Sequence, residues 1–200
     1  MSTLIQLSYF VAAVLFILGL KRMASPRTAV SGIKWAGVGM VLAVLATFFY
    51  PDLHNIGLIV TGIVIGGAAA WISGKKVEMT DMPQMVALYN GMGGGAAGAI
   101  SAVELYSGAA THHGPGIAGL AVIGGVIGAV SLSGSVIAFA KLQGLMKKAW
   151  SVPMHQGVNA LMVIFLFGIG LALATSTDPG WFWVTVFFLI ALTLGGCMTT

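Results

Sequence analysis

Apolar residues run in long blocks along this chain, and the breaks between the blocks are short and polar. A helix needs roughly 20 apolar residues to cross a bilayer core of about 30 Å, and by that ruler the blocks predict seven spans. They cover residues 4–20, 33–50, 56–73, 85–106, 117–140, 158–175 and 181–196. The fourth block stands apart because Asn90 and Glu104 lie inside it. Helical steps of three and four lead from Asn90 through Gly94, Ala97 and Ser101 to Glu104, which puts an amide, small residues, a hydroxyl and a carboxyl on one face. The expected fold class is all-α: a polytopic membrane helix bundle forming a single transmembrane domain over residues 1–200.

Composition narrows this further. Of 200 residues, 58% are apolar and only 7% charged, far below the quarter that a soluble domain carries. Disorder is excluded too, since disordered segments are poor in apolar residues and rich in charge. The 29 glycines suit helices that pack through small residues. A net charge of +4 would suggest nucleic acid in a soluble protein, but no basic stripe with interleaved aromatics is present. A single cysteine, Cys197, permits no disulfide within the chain. Lys21 and Arg22 follow the first apolar run, whereas a signal peptide carries its charge before the run. The first helix is therefore expected to be retained.

The cations also give an orientation. Lys21, Arg22, Arg27 and Lys34 fall between the first two spans, Lys75 and Lys76 between the third and fourth, and Lys141, Lys147 and Lys148 between the fifth and sixth. The remaining connections, PDLHN, SGAATHHGPG and STDPG, hold no Lys or Arg. The positive-inside rule then places the N-terminus outside and the C-terminus in the cytoplasm. Trp35, Tyr50, Tyr106, Trp150, Trp181 and Trp183 lie near span ends, where interfacial aromatics belong.

Polar groups at membrane depth are costly and usually face a bundle interior or a water-filled cavity. The face running from Asn90 to Glu104 therefore suggests a proton or ion path. Its bland counterpart has Glu104 snorkelling or capping at the interface while Asn90 bonds a neighbouring helix. Gly91, Gly93 and Ala96 imitate a dinucleotide fingerprint, but they lie inside a span with no strand before them. Packing explains them better: Gly91 with Gly95, and Gly94 with Gly98, form small-xxx-small pairs, as do Gly62 with Gly66 and Gly124 with Gly128. In span five, Ser131 and Ser135 share a face, either bonding back to the preceding turn or lining a cavity with Asn90. His112 and His113 are adjacent, so their side chains diverge, and no metal site is expected. His54 and His155 fall in connections, and Asp52 and Asp178 suit turn and cap roles. Asp81, just before Met82-Pro83, is either a cap on span four or a carboxylate at its mouth. From residues alone, a secondary transporter, an ion channel and an assembly scaffold all remain open.

The runs KKVEMTDMPQMVALYNGMGGGAAG and IGAVSLSGSVIAFAKLQG resemble the beta subunit of proton-translocating NAD(P) transhydrogenase, as does FFYPDLHNIGLIVTGIVIGGAAA more weakly. The resemblance covers essentially the whole chain. It implies reversible hydride transfer between NAD(H) and NADP(H), coupled to proton movement, on partner domains outside this chain. It also implies the lipid bilayer of a bacterial plasma membrane, an alpha subunit, an NADP-binding domain and a dimer of the whole complex. Asn90 matches a position where many members have a histidine that handles the translocated proton. An amide cannot titrate near neutral pH, and in some members with this asparagine a helix of the alpha part provides the histidine. Asp81 matches an acidic position near the cytoplasmic mouth, and Glu104 one near the outer end of the same helix. Ser135, with Gly128 and Gly134, matches the small and polar face of span five that lies against span four. The family's beta subunit continues with two further helices and the nucleotide domain. The present chain is accordingly expected to be a truncated or separately encoded membrane portion, with neither a catalytic hydride-transfer site nor a cofactor site of its own.

Overall fold

The computed structural model describes residues 2–51, 53–108, 114–146, 155–176 and 180–199. Seven long helices account for nearly all of them: α1 (Ser2–Met23), α2 (Ala29–Phe48), α3 (Ile56–Lys76), α4 (Met82–Tyr106), α5 (Pro115–Leu142), α6 (His155–Thr175) and α7 (Trp181–Thr199). A short 3₁₀ turn, Met79–Asp81, leads into α4, and no strand occurs among the described residues. The protein is an all-helical membrane bundle. Six of the helices are long and apolar enough to cross a bilayer. The exception is α4: it has ample length at 25 residues, but Gln84, Asn90, Ser101, Glu104 and its glycines dilute its apolarity.

Two compact units divide the chain, Met1–Lys75 and Lys76–Thr200. In the first, α1 and α2 form a tight hairpin. A methyl added at Gly32 would lie 2.6 Å from the Gly19 carbonyl oxygen, so the two backbones touch there and only a hydrogen fits. The Arg22 Nε donates to Ser31 Oγ at 3.0 Å, its guanidinium lies 5.2 Å from the Trp35 ring centre, and Tyr9 pairs with Thr47 at 2.9 Å. Asn55 begins α3 with a φ of 62°, a left-handed conformation that asparagine tolerates well, and its carbonyl accepts from Leu58 N at 2.9 Å. No residue of α3 is buried. Methyls at Gly62 and Gly66 would meet nothing within 4 Å, so this small-residue pair makes no contact among the described residues of its unit.

The second unit packs α5 between α4 and α7, with α6 against both α5 and α7. Leu105, Leu166, Leu173, Val184 and Phe187 form its core with small residues of α5 and α7, and Leu105, Val184 and Phe187 are fully buried. Lipid tails are as apolar as these side chains, so dispersion in a close fit, not escape from water, holds such a core together.

Candidate functional site

The polar site lies where α4 meets α5. These helices run antiparallel, and small residues let their backbones come close. A methyl at Gly94 would lie 2.7 Å from Ser131 Cβ and 3.0 Å from the Gly128 carbonyl oxygen, and one at Gly128 would lie 2.7 Å from the Gly94 oxygen. One at Gly91 would lie 2.9 Å from Ser135 Cβ, and Gly98 faces the backbone of Gly128 and Ala129. Gly91 and Gly98 are buried. Gly95 sits to the side, where a methyl would come 3.3 Å from the end of the Leu132 side chain. Gly134 does not belong to this seam: its nearest neighbours are Thr199 Cγ2 at 3.2 Å and the Gly195 oxygen at 3.5 Å, both on α7. Successive residues turn by about 100° around a helix, so Gly134 lies on the flank of the face that carries Gly128, Ser131 and Ser135, on the side that meets α7.

Asn90 reaches across this seam. Its Nδ2 donates to Ser135 Oγ at 2.9 Å and to Ser131 Oγ at 3.3 Å. Ser133, between them in sequence, bonds back to the Ala129 carbonyl at 3.0 Å in the manner usual for a helix serine. The spacing Ser131-x-Ser133-x-Ser135 thus splits between two faces: the outer pair meets α4, and the middle residue lies beside Gly195 of α7. Ser135 is buried, whereas Asn90 is exposed at the edge of the seam. A hydroxyl that accepts from an amide keeps its own hydrogen to donate. Each serine hydroxyl therefore keeps a hydrogen to donate, and no hydrogen bond reaches Asn90 Oδ1 among the described residues.

Glu104 and Asp81 lie elsewhere. Fourteen residues of helix separate Asn90 from Glu104, about 21 Å at 1.5 Å per residue, and nine separate it from Asp81, about 13 Å. Glu104 is half-buried, and its carboxylate has no hydrogen-bond or ion-pair partner among the described residues. Asp81 stands at the N-cap position of α4 with an exposed side chain that makes no capping bond. The polar face read from the sequence is therefore divided: Gly94 and buried Ser101 enter the seam, Asn90 borders it, and Ala97 is exposed.

The Gly91-x-Gly93-x-x-Ala96 pattern lies in the middle of α4, not at a helix start. Backbone N–H groups there bond within the helix, so no phosphate cradle exists at that position. His112, His113, Asp52, Asp178, Lys147, Lys148 and Trp150 lie outside the described residues. No cluster of three or more metal-ligating side chains occurs among the described ones.

Sequence reasoning passed over Asn159, a second amide within the apolar length of a helix. Its Oδ1 is buried in the second unit and has no donor among the described residues. Gln84 and Gln143 were likewise unremarked. Their spacing carries no signal, because a bond between long side chains 59 residues apart becomes visible only once the helices are paired.

Residues 5–200 match the model of the family described as NAD(P) transhydrogenase beta subunit. The chain belongs to this family. A relative from Rhodospirillum rubrum, named NAD(P) transhydrogenase subunit beta, is 41% identical over 151 residues, covering 72% of this chain and 32% of the relative. A second sequence of that name, from a designated strain of the same species, matches to the same extent. The chain thus spans about a third of the length of these transhydrogenase relatives. As a beta-subunit family member with several apolar membrane-length helices, it is an integral membrane protein.

Proposed function

We propose that this chain forms part of the proton path of a membrane-bound NAD(P) transhydrogenase, with Asn90, Ser131 and Ser135 as its polar core. The carrying observation is the Asn90 amide bonded to both serine hydroxyls in an otherwise small and apolar helix seam. Bonded groups of this kind hold protons and waters in a fixed direction, and they sit where polar residues are expensive unless used. Neither an amide nor a serine hydroxyl titrates near neutral pH. The titrating group then comes from another chain and approaches the exposed edge of Asn90. Asp81 and Glu104 serve as the two ends of the path, not as members of the central cluster.

In this reading, hydride passes between NAD(H) and NADP(H) on partner domains, and this chain binds neither nucleotide. Its partners are the alpha subunit or subunits, an NADP-binding domain and the lipid of a bacterial plasma membrane, in a dimer of the whole complex. The chain lies with its N-terminus outside and α4 spanning the bilayer. The test is Asn90→Leu in the assembled complex. Loss of the amide should suppress proton pumping and coupled turnover roughly tenfold, the factor given by about 1.4 kcal/mol of lost stabilisation, while subunits still co-purify. Pumping at the wild-type rate would remove Asn90 from the path.

A further inference from the structure

A seam made of glycines has a mechanical weakness. Smooth backbone contact supplies no interlocking side chains, so it resists separation of the helices more than rolling or sliding of one along the other. The α4–α5 pair nevertheless keeps a constant antiparallel register, with Asn90 opposite Ser135, Gly94 opposite Ser131 and Gly98 opposite Gly128. A second polar crossing continues that register towards the start of α4. The Gln84 Nε2 donates to the Leu142 carbonyl at 3.1 Å, and the Gln143 Nε2 donates to Gln84 Oε1 at 3.0 Å. The Leu142 oxygen belongs to the last turn of α5, where helix carbonyls lack partners within the helix.

The two crossings stand on opposite edges of the seam. Gln84 and Asn90 are six residues apart, which is about 9 Å along the α4 axis and about 120° around it. The buried positions Gly91, Gly98 and Leu105 run between those two directions. A single hydrogen-bonded crossing would act as a hinge. Two crossings displaced both along and around the helix oppose slide and roll together.

We propose that Gln84 and Gln143 are positioning residues, forming with the Leu142 carbonyl a latch that holds α4 at the roll angle where Asn90 meets Ser131 and Ser135. Opening the latch lets α4 turn on the glycine seam and carries the Asn90 amide off the serines. The latch thereby regulates the site proposed above, and its link to transport rests on that reading. Gln143 is exposed and Gln84 half-buried, so water competes for these bonds and the latch opens more readily than the buried seam.

The experiment separates mechanics from transport. In the assembled complex, with Cys197 replaced by serine, spin labels are attached to cysteines at Val86 on α4 and Val136 on α5, positions 66% and 51% exposed. Gln84→Leu removes both latch bonds and should broaden the label-to-label distance distribution. It should also lower coupled proton transport about fivefold, the ratio given by roughly 1 kcal/mol. Gln143→Leu leaves the Gln84–Leu142 bond and should have a smaller effect on both readouts. Gln84→Glu still accepts from the Gln143 amide and should keep the distribution narrower than Gln84→Leu does. An unchanged distribution in Gln84→Leu overturns the latch, whatever transport does. A broadened distribution with wild-type transport overturns its regulatory role. If Asn90→Leu pumps normally while Gln84→Leu still broadens the distances, the proton-path reading fails and the latch stands. Should Gln84→Leu not assemble, Gln143→Leu and Gln84→Glu decide the matter by the same two readouts.

Discussion

Individual glycines in α4 look alike in sequence and differ sharply in space. Gly93 and Gly94 are neighbours, yet a methyl at Gly93 would meet nothing within 4 Å, whereas one at Gly94 would strike Ser131 and the Gly128 backbone. Gly128 is tighter still, because an added methyl would overlap the Gly98 backbone nitrogen, and neither backbone can step aside without parting the helices. Gly128→Ala should therefore destabilise the α4–α5 pair by about 1–3 kcal/mol, the usual cost of overpacking. Gly93→Ala should be neutral to slightly favourable, since alanine is the better helix former. Thermal denaturation of the detergent-solubilised complex, comparing the two variants with wild type, checks the contrast. Equal transitions would show that the seam yields and that backbone contact does not set its stability. The small-xxx-small spacing announced close packing in α4 and α5. Which glycine of a consecutive run meets the partner depends on the roll of the helix, and Gly93-Gly94-Gly95 is equally small at every step.

At the scale of whole helices, seven apolar blocks were legible because each ends at a cluster of Gly, Pro, Ser or charged residues, but their ends were not: α2 starts at Ala29 where the block reading began at 33. The neighbours of each helix were less legible than the blocks. An amphipathic helix announces its buried face, but α5 and α7 carry apolar residues on every side, since lipid and protein both accept apolar side chains. The placement of Gly134 against α7 was hidden for that reason. Polar contacts between helices were hidden too. The Tyr106 hydroxyl pairs with Thr185 Oγ1 at 2.6 Å, joining the C-terminal end of α4 to the N-terminal part of α7. Tyrosine near a span end reads from sequence as an interfacial anchor, and nothing in its spacing points to a threonine 79 residues on. Tyr106→Phe removes this bond and keeps the ring. It should cost about 0.5–1.5 kcal/mol, with a partial offset because Thr185 retains its bond to the Trp181 carbonyl at 2.9 Å. A double-mutant cycle of Tyr106→Phe with Thr185→Val, followed by denaturation of the complex, should return a coupling energy of that size. Additive effects would mean that the two hydroxyls do not support each other.

For the molecule as a whole, the decisive element is α4, because the proposed proton path requires it to cross the bilayer although its composition is the least apolar of the seven helices. Glu104 and Asn90 raise the cost of insertion, and the glycines contribute little apolar surface to offset it. Packing against α5 changes that balance. The seam buries Gly91, Gly98 and Ser101, and the Asn90 amide nitrogen, at its exposed edge, is satisfied by Ser131 and Ser135. The cations are consistent with seven crossings: Lys21 and Arg22 close α1, Lys75 and Lys76 close α3, and Lys141 closes α5, so each second connection is basic. Single cysteines at the exposed positions His54, Lys75, Ser107 and Leu145, in a chain with Cys197 replaced, test this arrangement with a membrane-impermeant thiol reagent. His54→Cys and Ser107→Cys should react in right-side-out vesicles, and Lys75→Cys and Leu145→Cys only in inside-out ones. If α4 merely lay in the interface, Lys75→Cys and Ser107→Cys would react from the same side, and every later position would change face. Asn90 would then lie at the membrane surface, where water solvates an amide at no cost and its bonds to Ser131 and Ser135 need no role in transport.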